Sequence, residues 1–467
     1  MSRIGASQQA RMRDISSKCE KRVSIFRIGH KNKKTLQIFF IRFFFPCYTD
    51  DMKLNYKRTI FIGLAFLSIS AFWQLYDSMI PLVLQNNFGI KETLAGLIMA
   101  LDNILALFLL PYFGNLSDKV ETRIGKRMPF ILAGTIIASS LMLLLTLAIR
   151  MQNFALFIAF LLALLLSMGL YRSPAVALMP DLTPAIFRSK ANAIINLMGA
   201  LGAMYALLSI RFFIPKNSTN YFFAFLSVAI FMLVMVFILF FTINENKIKS
   251  TLAISAEENF VEKNLQKNNS REKLPRDVFK SLCFLLASIF FWFMAYNAIT
   301  TAFSRYTLVV WHASGGEFAS YLMIAVVASV ISYVPIGFIS TRIGRKRTIL
   351  IGIVLLALSY FSASFLTNFH PVLFLLLAIV GFAWAAINVN SYPMVVEMSS
   401  SASIGKYTGL YYAFSMAGQI VTPIFSGALL EHVSYKTLFP YSTVFCALAF
   451  LSMQFVKHGD AKSSEAK

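Results

Sequence analysis

The sequence predicts an all-α membrane protein: twelve transmembrane helices in two pseudo-symmetric six-helix bundles. Three observations carry this. First, the 467 residues are 57% hydrophobic and only 14% charged, with 46 Phe, against roughly 45–50% apolar residues in a soluble domain. Second, apolar runs of about 20 residues, the length that crosses hydrocarbon, recur between short polar turns. Third, one turn occurs twice. Gly114-Asn115-Leu116-Ser117-Asp118 with Arg123-Ile124-Gly125-Lys126-Arg127 returns, degraded, as Gly337-Phe338-Ile339-Ser340-Thr341 with Arg342-Ile343-Gly344-Arg345-Lys346-Arg347. One membrane turn per half implies a duplicated bundle. The ten-residue alternation of a membrane barrel is absent.

Residues 1–51 stand apart. They are polar and basic (Arg11, Arg13, Lys18, Lys21, Arg22, Lys31, Lys33, Lys34), and the aromatic run Phe39 to Phe45 is broken by Arg42 and closed by Pro46. That run is too short to span and lacks a small-residue cleavage site. Met52-Lys53-Leu54-Asn55 then opens the first clear span, so Met52 is expected to be the true initiator and 1–51 a mis-assigned extension. The other reading is a basic tail lying on lipid.

The expected spans are 59–84, 92–114, 128–149, 153–174, 190–212 and 220–243, then 279–304, 316–338, 347–367, 370–394, 405–430 and 436–457. This divides the chain into a first bundle over 52–243, a polar linker over 244–278, a second bundle over 279–458 and a tail over 459–467. The linker has the composition for a helix lying on the membrane surface. Net charge is +22. Lys and Arg cluster after even-numbered spans (Lys119, Arg123, Lys126, Arg127, Arg188, Lys190, Arg342, Arg345, Lys346, Arg347, Lys406), whereas odd loops hold scattered charges such as Lys91, Arg150 and Arg305. This pattern places both termini in the cytoplasm and assigns the charge to anionic lipid rather than nucleic acid. The four cysteines have no paired spacing, and no His/Cys cluster suits a metal.

The chemistry lies in two places. At the basic loops, Gly114 and Gly125 permit tight geometry, and Asp118 is positioned to pair with Arg123 or Arg127. The alternative is a simple positive-inside anchor. Met179-Pro180-Asp181-Leu182 before Arg188, and Val396-Glu397-Met398 before Lys406, form a second duplicated pair. Asp181 and Glu397, each pairing with a base of the opposite half, would close an inner gate. Within the spans, ionisable residues are costly and normally face a cavity. Asp102, beside Asn103, lies nearest mid-membrane, and Asp77 follows Trp73, Gln74 and Tyr76. Arg172 follows Tyr171 near the end of the fourth span. Low dielectric disfavours the charged carboxylate, so Asp102 first and Asp77 second are candidates to carry a coupling proton; sodium is the other cation such a pair serves. The competing reading is a carboxylate that bridges helices, with Arg172 as its partner. The second half offers amides and aromatics instead: Trp292, Tyr296, Asn297, Trp384, Asn388, Asn390, Tyr392 and Gln419. Aromatic faces beside two-way hydrogen-bonding groups suit a sugar ring. Helix-packing amides and lipid-belt aromatics are the bland alternative. No phosphate-cradling Gly-Lys-Ser/Thr loop, nucleophile elbow or acid pair points to ATP use or an enzyme.

Over 52–460 the sequence resembles the major facilitator superfamily, whose signature loop between helices 2 and 3 is similar to the turn at Gly114 to Arg127. A finer resemblance is to the sucrose and glycoside–proton symporter branch. It rests on Gly114-x-x-Ser117-Asp118, on Arg123-x-Gly125-Lys126-Arg127-Met128-Pro129-Phe130, on Tyr171-Arg172-Ser173-Pro174 through Met179-Pro180-Asp181-Leu182, and on Arg188-Ser189-Lys190-Ala191-Asn192. The resemblance implies proton-coupled uptake of a sugar by alternating access at the plasma membrane. It implies no cofactor beyond the ion gradient, and a monomer whose partners are a small solute and the bilayer. It also implies that the turn gates the cytoplasmic side and that Arg172 acts with the intramembrane acids. Substrate contacts are expected at Trp73, Gln74, Tyr76, Asn103, Tyr171, Trp292, Tyr296, Asn297, Trp384, Asn388, Asn390 and Gln419. Met128 stands where eukaryotic relatives often carry a base, which suggests a bacterial offshoot. The helix-5 run Asn196 to Gly202 lacks the proline of drug antiporters. A proton antiporter exporting drugs or metabolites, and a non-transporting membrane sensor, are the rival readings.

Overall fold

The computed structural model describes residues 55–183, 188–214, 220–248, 275–313, 315–398 and 404–460. The basic extension 1–51, Met52, most of the linker and the last seven residues lie outside the described residues.

Among the described residues twelve α-helices follow in order: α1 (Tyr56–Asn86), α2 (Glu92–Lys119), α3 (Met128–Arg150), α4 (Phe154–Leu182), α5 (Arg188–Phe213), α6 (Phe222–Thr242), α7 (Arg276–Val310), α8 (Glu317–Ile343), α9 (Arg345–Ala363), α10 (Val372–Glu397), α11 (Ile404–His432) and α12 (Leu438–Gln454). Eleven are long and apolar enough to cross a membrane unbroken. The twelfth, α8, bends by 56° between Tyr333 and Pro335, where proline removes a backbone donor.

Local chemistry sets the ends. Asn153 caps α4 by accepting the Leu156 N–H, which satisfies a donor that no helical carbonyl reaches. Pro129 sits in the first turn of α3, where its missing N–H costs nothing. Gly344 stops α8 at φ 93°, a left-handed conformation open to glycine. The helices run past the apolar stretches at the basic loops. Gly114 to Asp118, expected as a turn, forms the last part of α2, where Ser117 Oγ donates back to the Gly114 carbonyl at 2.9 Å. Asp181 and Glu397 likewise end α4 and α10 instead of lying in loops. Their polar side chains stop the apolar run while the backbone hydrogen bonds continue.

In the first half α1 packs on α5 and α6, and α3 packs on α4 and α6. In the second, α7 packs on α11 and α12, and α10 packs on α8 and α9. Two six-helix bundles result. They meet along three seams, α1 with α7, α2 with α11 and α5 with α8. Lys126, Arg127 and Arg345 mark a basic face.

Candidate functional site

The intramembrane acids meet between the halves. On α1, Trp73, Tyr76 and Asp77 share one side at one-turn spacing. The Arg172 guanidinium of α4 lies 5.4 Å from the centre of the Trp73 ring, a cation–π distance. Asp77, Asp102 and Arg172 are within electrostatic reach of one another. Asp102 Oδ1 accepts from the Asn103 backbone at 2.5 Å and from Asn103 Nδ2 at 2.7 Å. Among the described residues no ion pair joins either acid to Arg172, so the helix-bridging alternative finds no direct bond. All three side chains are half-buried and retain unused hydrogen-bonding capacity.

The second half faces them with aromatic rings. Tyr296 of α7 and Trp384 of α10 stack with centroids 3.6 Å apart and planes at 3°, and Phe293 meets Trp384 edge-on at 5.6 Å. Tyr296 interacts electrostatically with Asp77, and Tyr412 of α11 with Arg172. Asn388 is half-buried one turn after Trp384. Gln74, Asn297 and Gln419 are also half-buried, but each spends an N–H locally: on Ser78 Oγ at 3.1 Å, the Phe293 carbonyl at 2.9 Å and the Ser415 carbonyl at 3.3 Å.

Four expected lining residues are sealed in the bundles, Tyr76 among them at 2% exposed, packed against Phe72 and Trp73. Trp292 is 0% exposed inside the second bundle. Asn390 is buried and donates to the Ala386 carbonyl at 2.8 Å. Tyr171 is buried and donates to the Ala65 carbonyl at 2.9 Å, also meeting Ser68. Helices this apolar carry no polar stripe that marks the cleft-facing side, so residue type alone misplaces them.

At the basic face Arg127 is the hub. Its Nε donates to Asp181 Oδ2 at 2.9 Å and one Nη to the Gly114 carbonyl at 3.3 Å, and it also meets Asp118 and Ser117. Lys126 reaches Asp118 at 3.2 Å and Asp181 at 3.7 Å. Arg123 is exposed and takes no part. Asp181 therefore pairs within its own half, as does Glu397, which pairs with Arg345. Among the described residues neither meets a base of the opposite half; the side chains of Arg188 and Lys406 lie outside the described residues. Thr341, in place of Asp118, donates to the Phe338 carbonyl at 2.7 Å and leaves Arg345 one acid. The sequence reading missed a further duplicated tie. Glu245, just past α6, accepts the Arg127 N–H at 2.9 Å, and Asp460, past α12, accepts the Arg345 N–H at 2.7 Å. Their signal was present: an acid shortly after the last helix of each half.

The family model for the Major Facilitator Superfamily matches residues 62–331 and 309–467. The chain belongs to the major facilitator superfamily. Solved structures of this superfamily fold share it at low identity. The human organic anion transporter MFSD10 aligns with a TM-score of 0.58 at 16% identity, covering 87% of this chain and 100% of its own. The inward-open xylose transporter XylE from E. coli reaches 0.63 at 16%, covering 87% and 96%. A POT family transporter bound to 5-aminolevulinic acid reaches 0.64 at 15%, covering 86% and 97%. An uncharacterized MFS-type transporter of Schizosaccharomyces pombe is 26% identical over 125 residues, 26% of this chain and 27% of that protein. As a superfamily member the chain is a membrane transporter of small solutes, not an enzyme.

Proposed function

We propose that this transporter moves a sugar or glycoside together with a proton, by alternating access between its two halves. One observation carries the reading. Among the described residues Asp77 and Asp102 lie within their spans without an ion pair, and Asp77 interacts electrostatically with Tyr296, which stacks on Trp384 in the other half. Acids that merely bridge helices would be paired; these can exchange a cation, while the aromatic platform takes the apolar face of a ring and the half-buried amides take hydroxyls. We further propose that the basic face lies toward the cytoplasm of the plasma membrane. Arg172, also unpaired, favours a second reading: proton-driven export of a solute with an acidic group. Uptake of labelled sugars into proteoliposomes under an imposed inward proton gradient tests both. Accumulation that Asp102→Asn abolishes, with gradient-free exchange retained, is expected. Gradient-driven accumulation that survives neutralising both Asp77 and Asp102 would sink the coupling assignment.

A further inference from the structure

On the face away from the basic loops, a buried network ties the halves together. Glu92, the first residue of α2, forms an ion pair with Arg305 near the end of α7; the two are 5% and 2% exposed. Arg305, which the sequence places among scattered loop charges, is buried within α7. Tyr435, in a single helical turn (Tyr435–Thr437) before α12, donates its hydroxyl to Glu92 and accepts from Gln85 Nε2 of α1 at 3.1 Å. Beside them the Thr93 N–H donates to Glu431 Oε2 of α11 at 2.9 Å, and Lys91 lies 3.8 Å from the same carboxylate. The backbones approach closely here: a side-chain carbon at Gly427 would lie 2.6 Å from the Glu92 carbonyl oxygen. Among the described residues, no ion pair or hydrogen bond joins the halves at the basic face.

This network is separate from the central acids. Asp102 is ten residues along α2 from Glu92, about 15 Å at 1.5 Å per residue. The pair is also bistable. Buried charges are tolerable only while they hold each other, and once separated each must be hydrated. A half-opened interface is therefore worse than either a closed, dry pair or a fully opened, wet one.

We propose that Glu92, Arg305 and Tyr435 form the latch that keeps this face closed, and that breaking the Glu92–Arg305 pair is the event that exposes the central site to that side. The inference rests on alternating access, but not on sugar or proton as cargo. The test reads sidedness alone. A single reporter cysteine, Asn388→Cys, is introduced with Cys19, Cys47, Cys283 and Cys446 replaced by serine. In oriented proteoliposomes it is labelled with a membrane-impermeant thiol reagent from each face. Glu92→Gln/Arg305→Gln is expected to raise labelling from the latched face about tenfold relative to the basic face, equivalent to about 1.4 kcal/mol of coupling between the halves. The exchanged pair Glu92→Arg/Arg305→Glu should return the ratio to its starting value. Unchanged sidedness in the neutral pair, or an exchanged pair that labels like the neutral one, overturns the latch. If the neutral pair fails to elute as folded protein, Tyr435→Phe removes only the hydroxyl bond and should shift the ratio about threefold; no shift overturns the proposal equally. Because no solute is added, a wrong substrate assignment leaves this outcome intact.

Discussion

Arg127→Gln and Arg345→Gln each remove the arginine that pairs with the acid at the end of α4 or α10, and the structure predicts unequal costs. The Arg127 side chain is 5% exposed and meets two carboxylates, a carbonyl and a hydroxyl. Bonds to charged groups contribute about 1.5–3 kcal/mol each when shielded. Asp118 is half exposed, so its share falls toward that of a surface pair. Losing the guanidinium while Asp181 stays partly buried should therefore cost about 3 kcal/mol. Arg345 pairs through its side chain with Glu397 alone, and both are about a third exposed. Its loss should cost about 0.5–1 kcal/mol, since the Arg345 N–H bond to Asp460 survives any side-chain change. Thermal unfolding of the purified protein in one detergent, followed by intrinsic fluorescence, should rank the melting temperatures native, then Arg345→Gln slightly lower, then Arg127→Gln lowest. Arg127→Lys should fall between the last two, because an ammonium keeps the charge but not the planar fork. Coincident melting of Arg127→Gln and Arg345→Gln, or the reverse order, would refute the hub.

Two further outcomes separate lining residues from core. Trp384→Ala should weaken binding of any ring-bearing ligand found in a thermal-shift screen by about threefold to tenfold, the worth of one aromatic contact, with little loss of fold stability since the ring is half-buried. Trp292→Ala should do the opposite, lowering unfolding stability by about 3–5 kcal/mol through a buried cavity while titration calorimetry finds ligand affinity unchanged.

The fold was legible because hydrocarbon imposes one length on every span, and basic residues mark every second turn. The helix ends were not, because hydropathy reports where lipid ends, not where backbone hydrogen bonds stop. Thus α4 continues past Pro174 to Leu182 and α10 past Met394 to Glu397. Within the site, Asp77, Asp102 and Arg172 were identifiable from cost alone, since few other ionisable residues lie so deep in apolar runs. The aromatics of the second half were ambiguous. Trp292 and Tyr296 are one turn apart on α7, yet one is sealed in the bundle and the other stacks on Trp384. The Glu92–Arg305 pair was hidden for another reason. Each residue sits near the end of its own span, where a charge is unremarkable, and their meeting depends on which helices are neighbours across the interface.

The duplication is partial at the basic face and absent at the centre, and this division bears on mechanism. Glu245 and Asp460 each accept a backbone N–H just past the turn glycine, at Arg127 and Arg345, and Asp181 and Glu397, at the ends of α4 and α10, each pair with that arginine's side chain. Those ties keep each half rigid, because every one of them closes within a bundle. The centre departs from the repeat: the acids belong to α1 and α2, and the paired rings to α7 and α10. A carrier whose halves rock as solid bodies needs internal ties that persist through the cycle and ties between halves that break. The basic-face bonds meet the first requirement. Among the described ion pairs that cross between the halves, only Glu92–Arg305 is buried on both sides. If the halves do rock, this pair must separate for the latched face to open.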